Sequence, residues 1–289
     1  VLSDYPRIDG MNLYSSDCQH VNTHFPNNAF GRAVRRNKFD NDLIKLAQQN
    51  GAEFLFGIPV TSFELKNNKV DVSSGGQSWQ ADYIIGADGR QSLVGKWIGL
   101  RQKNKSKRIA IHSYLTVKDR VVSSQGEMHI FKNAIYCGLN PVSQERWNFS
   151  IVCDSERIKN NSTDAIVEEV FSQSKRLREI FNLDGQSADW KIVAGISNPM
   201  EKLGSVERKS FLVGDAAGFI DPLTGEGIYH ALLTAEKLAQ AFKQDNEVLT
   251  NYEKAIKATY RNKEMVNHFF QWLITHPTLC NWVARFLKV

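Results

Sequence analysis

A chain of 289 residues with 42% hydrophobic and 23% charged residues lies in the ordinary globular range, which excludes an intrinsically disordered or fibrous protein. The formal net charge of +5 is modest for this length and is not gathered into a nucleic-acid-binding motif, so no nucleic-acid partner is expected. Cys18, Cys137, Cys153 and Cys280 form no C-x-x-C pair and have no histidine at zinc spacing, so they read as reduced thiols, with neither a metal site nor a disulfide frame.

Residues 1–30 carry Tyr5-Pro6, Asp9-Gly10, Pro26 and Asn27-Asn28 between short apolar stretches, and read as loops and edge strands. No apolar run approaches the ~18 residues of a membrane-spanning helix, and Asp4 and Arg7 stand where an export signal would be basic and then apolar. The expected location is cytoplasmic. Leu43, Ile44, Leu46 and Ala47 follow helical spacing up to the Asn50-Gly51 stop, which predicts a helix over 38–49. Short strands are expected at 53–60, 70–73 and 83–85, separated by the Asn67-Asn68 and Gly75-Gly76 turns.

Beyond a basic stretch from Arg101 to Arg108, the segments 109–117, 127–131, 134–139 and 147–153 are β-rich and turn-bounded. They predict an antiparallel sheet of about four strands. A helix is expected over 163–181 with Ile166, Val167, Val170, Phe171 and Leu177 on one face, then a strand over 191–196. A further apolar strand over 210–213 leads to a long helix from about Gly225, whose stripe includes Ile228, Ala231, Leu232, Ala235 and Leu238. The last forty or so residues read as helical. There Phe269, Phe270, Trp272, Trp282 and Phe286, with Arg285 and Lys288 nearby, either pack on the preceding domain or form a surface for a membrane or an oily substrate.

The chemistry-bearing signal is the run from Phe211 to Ile228: strand, Gly214-Asp215 turn, a loop holding Pro222, and a helix opened by Gly225 and Gly227. An acid at a strand's carboxyl end can accept hydrogen bonds from the hydroxyls of a nucleotide or ribityl chain, where open α/β sheets bind ligands. Pro222 fixes the loop. Gly225 and Gly227 let backbone approach a flat ring, and the helix start near Ile228 turns its N–H groups toward it. A second strand ends in Asp88-Gly89-Arg90, and a third element is Arg36-x-x-Phe39-Asp40-x-x-Leu43; each alone is also compatible with an ordinary turn or helix start.

Together and in this order, the three elements resemble the flavoprotein superfamily of aromatic hydroxylases, flavin-dependent halogenases and geranylgeranyl reductases. The resemblance covers nearly the whole chain. It implies an α/β fold: a split, partial FAD-binding Rossmann-like domain with an inserted antiparallel β-sheet substrate domain and C-terminal helices. The implied boundaries are 1–105 and 201–245 for the FAD-binding parts, 106–200 for the substrate domain and 246–289 for the helices. It implies that Asp88 and Gly89 support cofactor and nicotinamide, that Gly214 and Asp215 meet the FAD ribityl-pyrophosphate region, and that Arg36 lies beside the cofactor. NADPH is the electron donor it suggests.

Within the superfamily, Asp221-Pro-Leu-Thr-Gly-Glu-Gly-Ile-Tyr229 is most similar to the reductase branch, whereas hydroxylases usually carry a histidine where this chain has Gly218. The reductases' aromatic-rich Tyr-x-Trp-x-Phe-Pro strand is matched only by Tyr136 and Pro141. No Gly-x-Gly-x-x-Gly occurs, so the βαβ unit that carries a dinucleotide's pyrophosphate is expected to be missing. The expected reaction is reduction of a carbon–carbon double bond in a small apolar, isoprenoid-like molecule. Flavin-dependent hydroxylation or halogenation, and a non-catalytic truncated fragment, are the alternatives.

Overall fold

The computed structural model of this chain describes residues 3–100, 107–119, 123–181, 188–195, 200–218, 225–244 and 247–287, with backbone alone at 261–268, 270 and 271. In chain order the described elements begin with β1 (Arg7–Ile8), β2 (Gly10–Tyr14), β3 (His20–His24), β4 (Gly31–Arg32) and α1 (Arg36–Gln49). They continue through β5 (Ser62–Lys66), β6 (Lys69–Ser74), β7 (Gln77–Ala81), β8 (Ile84–Gly86) and α2 (Leu93–Trp97). The central run is β9 (Arg108–Thr116), β10 (Gln125–Ile130), β11 (Tyr136–Pro141) and β12 (Arg146–Asp154). It leads to α3 (Ser155–Asn160), α4 (Thr163–Gln173), α5 (Lys175–Ile180) and β13 (Lys191–Ala194). The chain closes with β14 (Gly204–Ser205), β15 (Ser210–Leu212), α6 (Gly227–Lys243), α7 (Val248–Ile274) and α8 (Pro277–Phe286). These elements form two compact units, one of 1–54, 107–194 and 270–289, the other of 55–106 and 195–269.

The first unit is built on a seven-stranded sheet in the order β13-β9-β12-β11-β10-β2-β3. The expected four strands sit at its centre. β13 flanks β9, and β2 joins β10 in parallel, with Asn12 opposite Glu127 and Tyr14 opposite His129. The turn-rich composition of residues 1–30 hides that pairing. Alternation along β9 and β12 turns Ile111, Leu115, Phe149 and Ile151 to one face, where they are buried with Val170 and Phe171 of α4. Burying each such side chain contributes roughly 1.5–3 kcal/mol, which makes this face the main source of the unit's stability.

The helix expected over 163–181 is two helices, because Ser174 turns out of helical geometry and its hydroxyl accepts the Leu177 N–H to start α5. That break places a polar network against the core. Arg176 donates to Glu127 Oε1 at 2.8 Å, and His129 Nε2 donates to Oε2 at 3.1 Å. The Ser174 hydroxyl lies 3.3 Å from His129 Nδ1, and Tyr14 stacks on the imidazole with ring centroids 4.3 Å apart. Burial by itself would raise the Glu127 pKa, but the hydrogen bonds from His129 and Arg176 and the Arg176 charge prevail and hold the carboxyl below its usual range. Burial outweighs Glu127 at His129 and lowers its pKa, so the ring is neutral, with one donor and one acceptor nitrogen.

In the second unit β5, β6 and β7 form an antiparallel sheet, while β14, β15 and β8 form another in which β15 and β8 are parallel. β8 is at the sheet edge, and Tyr83 and Ile85 are about half exposed there. Leu212, Ala216, Leu238 and Ile256 are buried together beneath α6 and α7, and the Tyr252 hydroxyl donates to Leu212 O at 2.8 Å. No strand forms over 53–60: Gly57 has φ 71°, Pro59 lacks an N–H, and Leu55 and Phe56 face outward.

Truncating Glu127 to Ala leaves Arg176 and His129 without their acceptor. The expected loss in urea unfolding is about 3 kcal/mol, the low end for a broken buried pair because Arg176 keeps part of its guanidinium in water. Since the folded-state pKa of Glu127 is depressed, its stabilisation is full above the ordinary value of 4.5 and drains away as pH falls through the lowered folded value. As pH falls from 4.5 to the lowered folded value, stability should therefore drop more steeply in the wild type than in Glu127→Gln; parallel acid limbs would disprove the assignment.

Candidate functional site

The two acidic turns of the second unit leave from neighbouring parallel strands. Ile84 is opposite Ser210 and Gly86 opposite Leu212, and the Val213 N–H continues the ladder to Gly86 O at 3.0 Å. Asp88-Gly89 and Gly214-Asp215 thus follow the carboxyl ends of adjacent strands, at the same edge of the sheet, where open α/β sheets hold ligands. Asp88 Oδ2 accepts the Leu93 N–H at 2.6 Å and Ser92 Oγ accepts the Gly95 N–H at 2.8 Å, so Asp88 also caps α2. Asp215 lies half-buried in a short 3-10 turn, Gly214–Ala216.

A hydroxyl that the sequence reading did not single out joins this turn to the glycine-opened helix. The Gly214 N–H donates to Thr234 Oγ1 at 2.8 Å, and that hydroxyl donates to His230 O at 2.9 Å. Thr234 is fully buried. The signal was a threonine on the apolar stripe of α6, four residues after His230, where its hydroxyl can bond back to the preceding turn.

The 17-residue α6 begins at Gly227, and its first amides have no acceptor within the helix. Gly225 has φ 69°, a left-handed conformation that favours glycine. Among the described residues nothing lies within 4 Å of where a Cβ of Gly225 or Gly227 would stand. Ile228 is the next residue of the helix and is half-buried. These residues fit an isoalloxazine ring: open backbone for a flat face, and a positive helix end for the edge that becomes anionic on reduction. Pro222 lies outside the described residues.

Behind the helix start, the His230 and Tyr260 rings stand 4.9 Å apart, and both residues are buried. Burial above all, with Tyr229 and Glu226 nearby, pushes the Tyr260 hydroxyl well above its ordinary pKa, so it stays protonated at neutral pH. Tyr260 also lines a cavity of about 490 Å³ with Met200 and Ile256 and with the charged Glu201, Lys202, Glu253 and Lys257. Gly218 admits no side chain: a Cβ there would lie 2.8 Å from Met200 Cα and 2.9 Å from Met200 N. Arg36 belongs to the first unit, at the start of α1, where it pairs with Asp40 at 3.0 Å. The structure therefore groups Asp88, Gly89, Gly214, Asp215, Gly225, Gly227 and Ile228 in one unit and assigns Arg36 to the other.

Known proteins carry the same architecture. The chain is 26% identical over 261 residues to the digeranylgeranylglycerophospholipid reductase of Thermoplasma acidophilum, an alignment covering 83% of this chain and 63% of that protein. It is 23% identical over 256 residues to the tryptophan 2-halogenase of Chondromyces crocatus, covering 83% of this chain and 48% of the relative. The chain thus spans less than two thirds of the length of these relatives. Its fold superposes on the flavin-dependent halogenase CmlS with a TM-score of 0.77 at 21% identity, covering 94% of this chain and 52% of that one. For the flavoprotein/dehydrogenase from Cytophaga hutchinsonii the TM-score is 0.79 at 18% identity, covering 96% of this chain and 71% of that one. The family model described as FAD binding domain matches residues 22–265, a span that holds both acidic turns and the glycine-opened helix; the chain belongs to the FAD binding domain family, and its cofactor is FAD.

Proposed function

We propose that this protein uses FAD to reduce a carbon–carbon double bond in an apolar, isoprenoid-like substrate. FAD, when bound, supplies hydride transfer at its N5. The observation that carries the reading is the pairing of the Gly214-Asp215 turn with the start of α6 through Thr234, on a backbone that nothing among the described residues approaches at Gly225 and Gly227. In this reading the amides at 227–229 face the ring edge where negative charge builds, and a shielded helix end favours such charge by ~0.3–1 kcal/mol or more. Asp215 accepts hydrogen bonds from the ribityl or ribose hydroxyls. The reductase branch is supported by the run Asp221–Tyr229 and by relatives named as digeranylgeranylglycerophospholipid reductases. Gly218, packed on the Met200 backbone, leaves no room for the histidine usual in hydroxylases.

Halogenation is the second reading, favoured by the fold's similarity to CmlS. Rapid mixing of the reduced holoprotein with a prenyl alcohol under strictly anaerobic conditions separates the two. Return of the oxidised-flavin absorbance with a stoichiometric saturated product supports reduction. Absorbance that recovers only with oxygen, together with product formed only with added halide, supports halogenation and ends the reductase proposal.

Affinity tests the cofactor geometry separately. FAD affinity should weaken by about tenfold in Asp215→Ala, a loss in keeping with a hydrogen bond to a charged group. In Gly225→Val it should weaken at least as much, since the side chain enters the ring's approach and φ 69° is strained for it. Thr234→Val should cost roughly 1–3 kcal/mol of stability by orphaning the Gly214 N–H. Flavin fluorescence titration and urea unfolding read these effects; unchanged affinity in both site variants would refute the assignment.

A further inference from the structure

The helix α8 is fastened on one side and bare on the other. Cys280 is buried, the Ser16 hydroxyl donates to Asn281 Oδ1 at 3.0 Å, and Arg285 donates to Asp17 at 2.6 Å. On the opposite side Leu279, Trp282 and Phe286 are 40%, 71% and 74% exposed, at spacings of three and four that align them on one face. Leu287 continues the patch at 57% exposure. The anchoring contacts hold this aromatic stripe outward, so its exposure follows from the packing of the helix.

Charge and size together say what meets the stripe. α8, Pro277–Phe286, contains no Asp or Glu and carries Arg285, and His276 directly precedes it. Arg285 is partly neutralised by Asp17, yet its side chain remains 62% exposed. Trp282 and Phe286 each leave most of a large aromatic surface bare, and with Leu279 and Leu287 the face offers on the order of 400–500 Å². A stable protein interface needs about 800 Å² per partner, which disfavours a second copy of this chain. A bilayer sets no such minimum, and Trp and Phe beside cations on a carboxylate-free helix suit the boundary between headgroups and acyl chains. Among the described residues no helix is long and apolar enough to cross a membrane, so the contact would be made from the surface.

We propose that α8 docks this protein peripherally on anionic lipid bilayers, with Trp282 and Phe286 entering the headgroup–acyl boundary. Docking through α8 holds whatever reaction the flavin performs. The test is co-sedimentation of the full chain with vesicles of phosphatidylcholine, alone or mixed in equal parts with phosphatidylglycerol. The chain should pellet with the anionic vesicles, less with the neutral ones, and less again in high salt. Trp282→Ser with Phe286→Ser should lower partitioning about tenfold without shifting the thermal midpoint, as both side chains are exposed. Wild-type protein left in the supernatant with anionic vesicles would overturn the proposal. So would equal pelleting of the double variant, or loss in that variant of a concentration-dependent self-association by the wild type.

Discussion

The candidate site depends on one buried hydroxyl. Thr234 Oγ1 accepts the Gly214 N–H and donates to His230 O, so a single atom satisfies a turn amide and ties it to a helix carbonyl. A buried amide left without a partner costs ~1–3 kcal/mol, and this constraint fixes where α6 begins relative to the end of β15. Tyr252 reinforces the joint from α7 by donating to Leu212 O, two residues before Gly214. The helix end and the acidic turn are therefore held by the protein's own packing and hydrogen bonds, an arrangement that keeps binding energy for a ligand.

The first unit solves a different problem. Its sheet buries one face under α4 and α5, and on the interior strand β10 this face meets a charged carboxylate with no solvent exposure, Glu127. The fold tolerates it because Arg176 and His129 both donate to it and because the Ser174 break in the helix brings Arg176 within reach. Removing any one partner leaves a buried polar group exposed to the full desolvation penalty, so the network selects one arrangement of helix on sheet.

Much of this was legible in the residues. Strands 109–153 alternate cleanly, and the Phe211–Ile228 run announces strand, acidic turn and glycine-opened helix. Residues 53–60 look like a strand because Phe54, Leu55, Phe56 and Ile58 are apolar, but Gly57 and Pro59 deny the segment a ladder. The parallel partner β2 was hidden among turn residues, since pairing over more than a hundred positions leaves no local signature. Thr234 and Glu127 escaped for a related reason: a polar residue on an apolar face is legible as an anomaly, yet its partners come from elements distant in sequence. Asp88, read as a cofactor support from the family resemblance, also caps α2, a role its spacing to Leu93 would have allowed.

In the proposed site the tricyclic ring of FAD lies against the opening of α6, beside the turn that carries Asp215. A crystal structure of the FAD complex measures this directly. The pyrimidine edge of the ring should lie within about 3 Å of backbone N–H groups at 227–229, hydrogen-bond distance for an amide donor. A ring bound elsewhere, with those amides turned against protein, would contradict it.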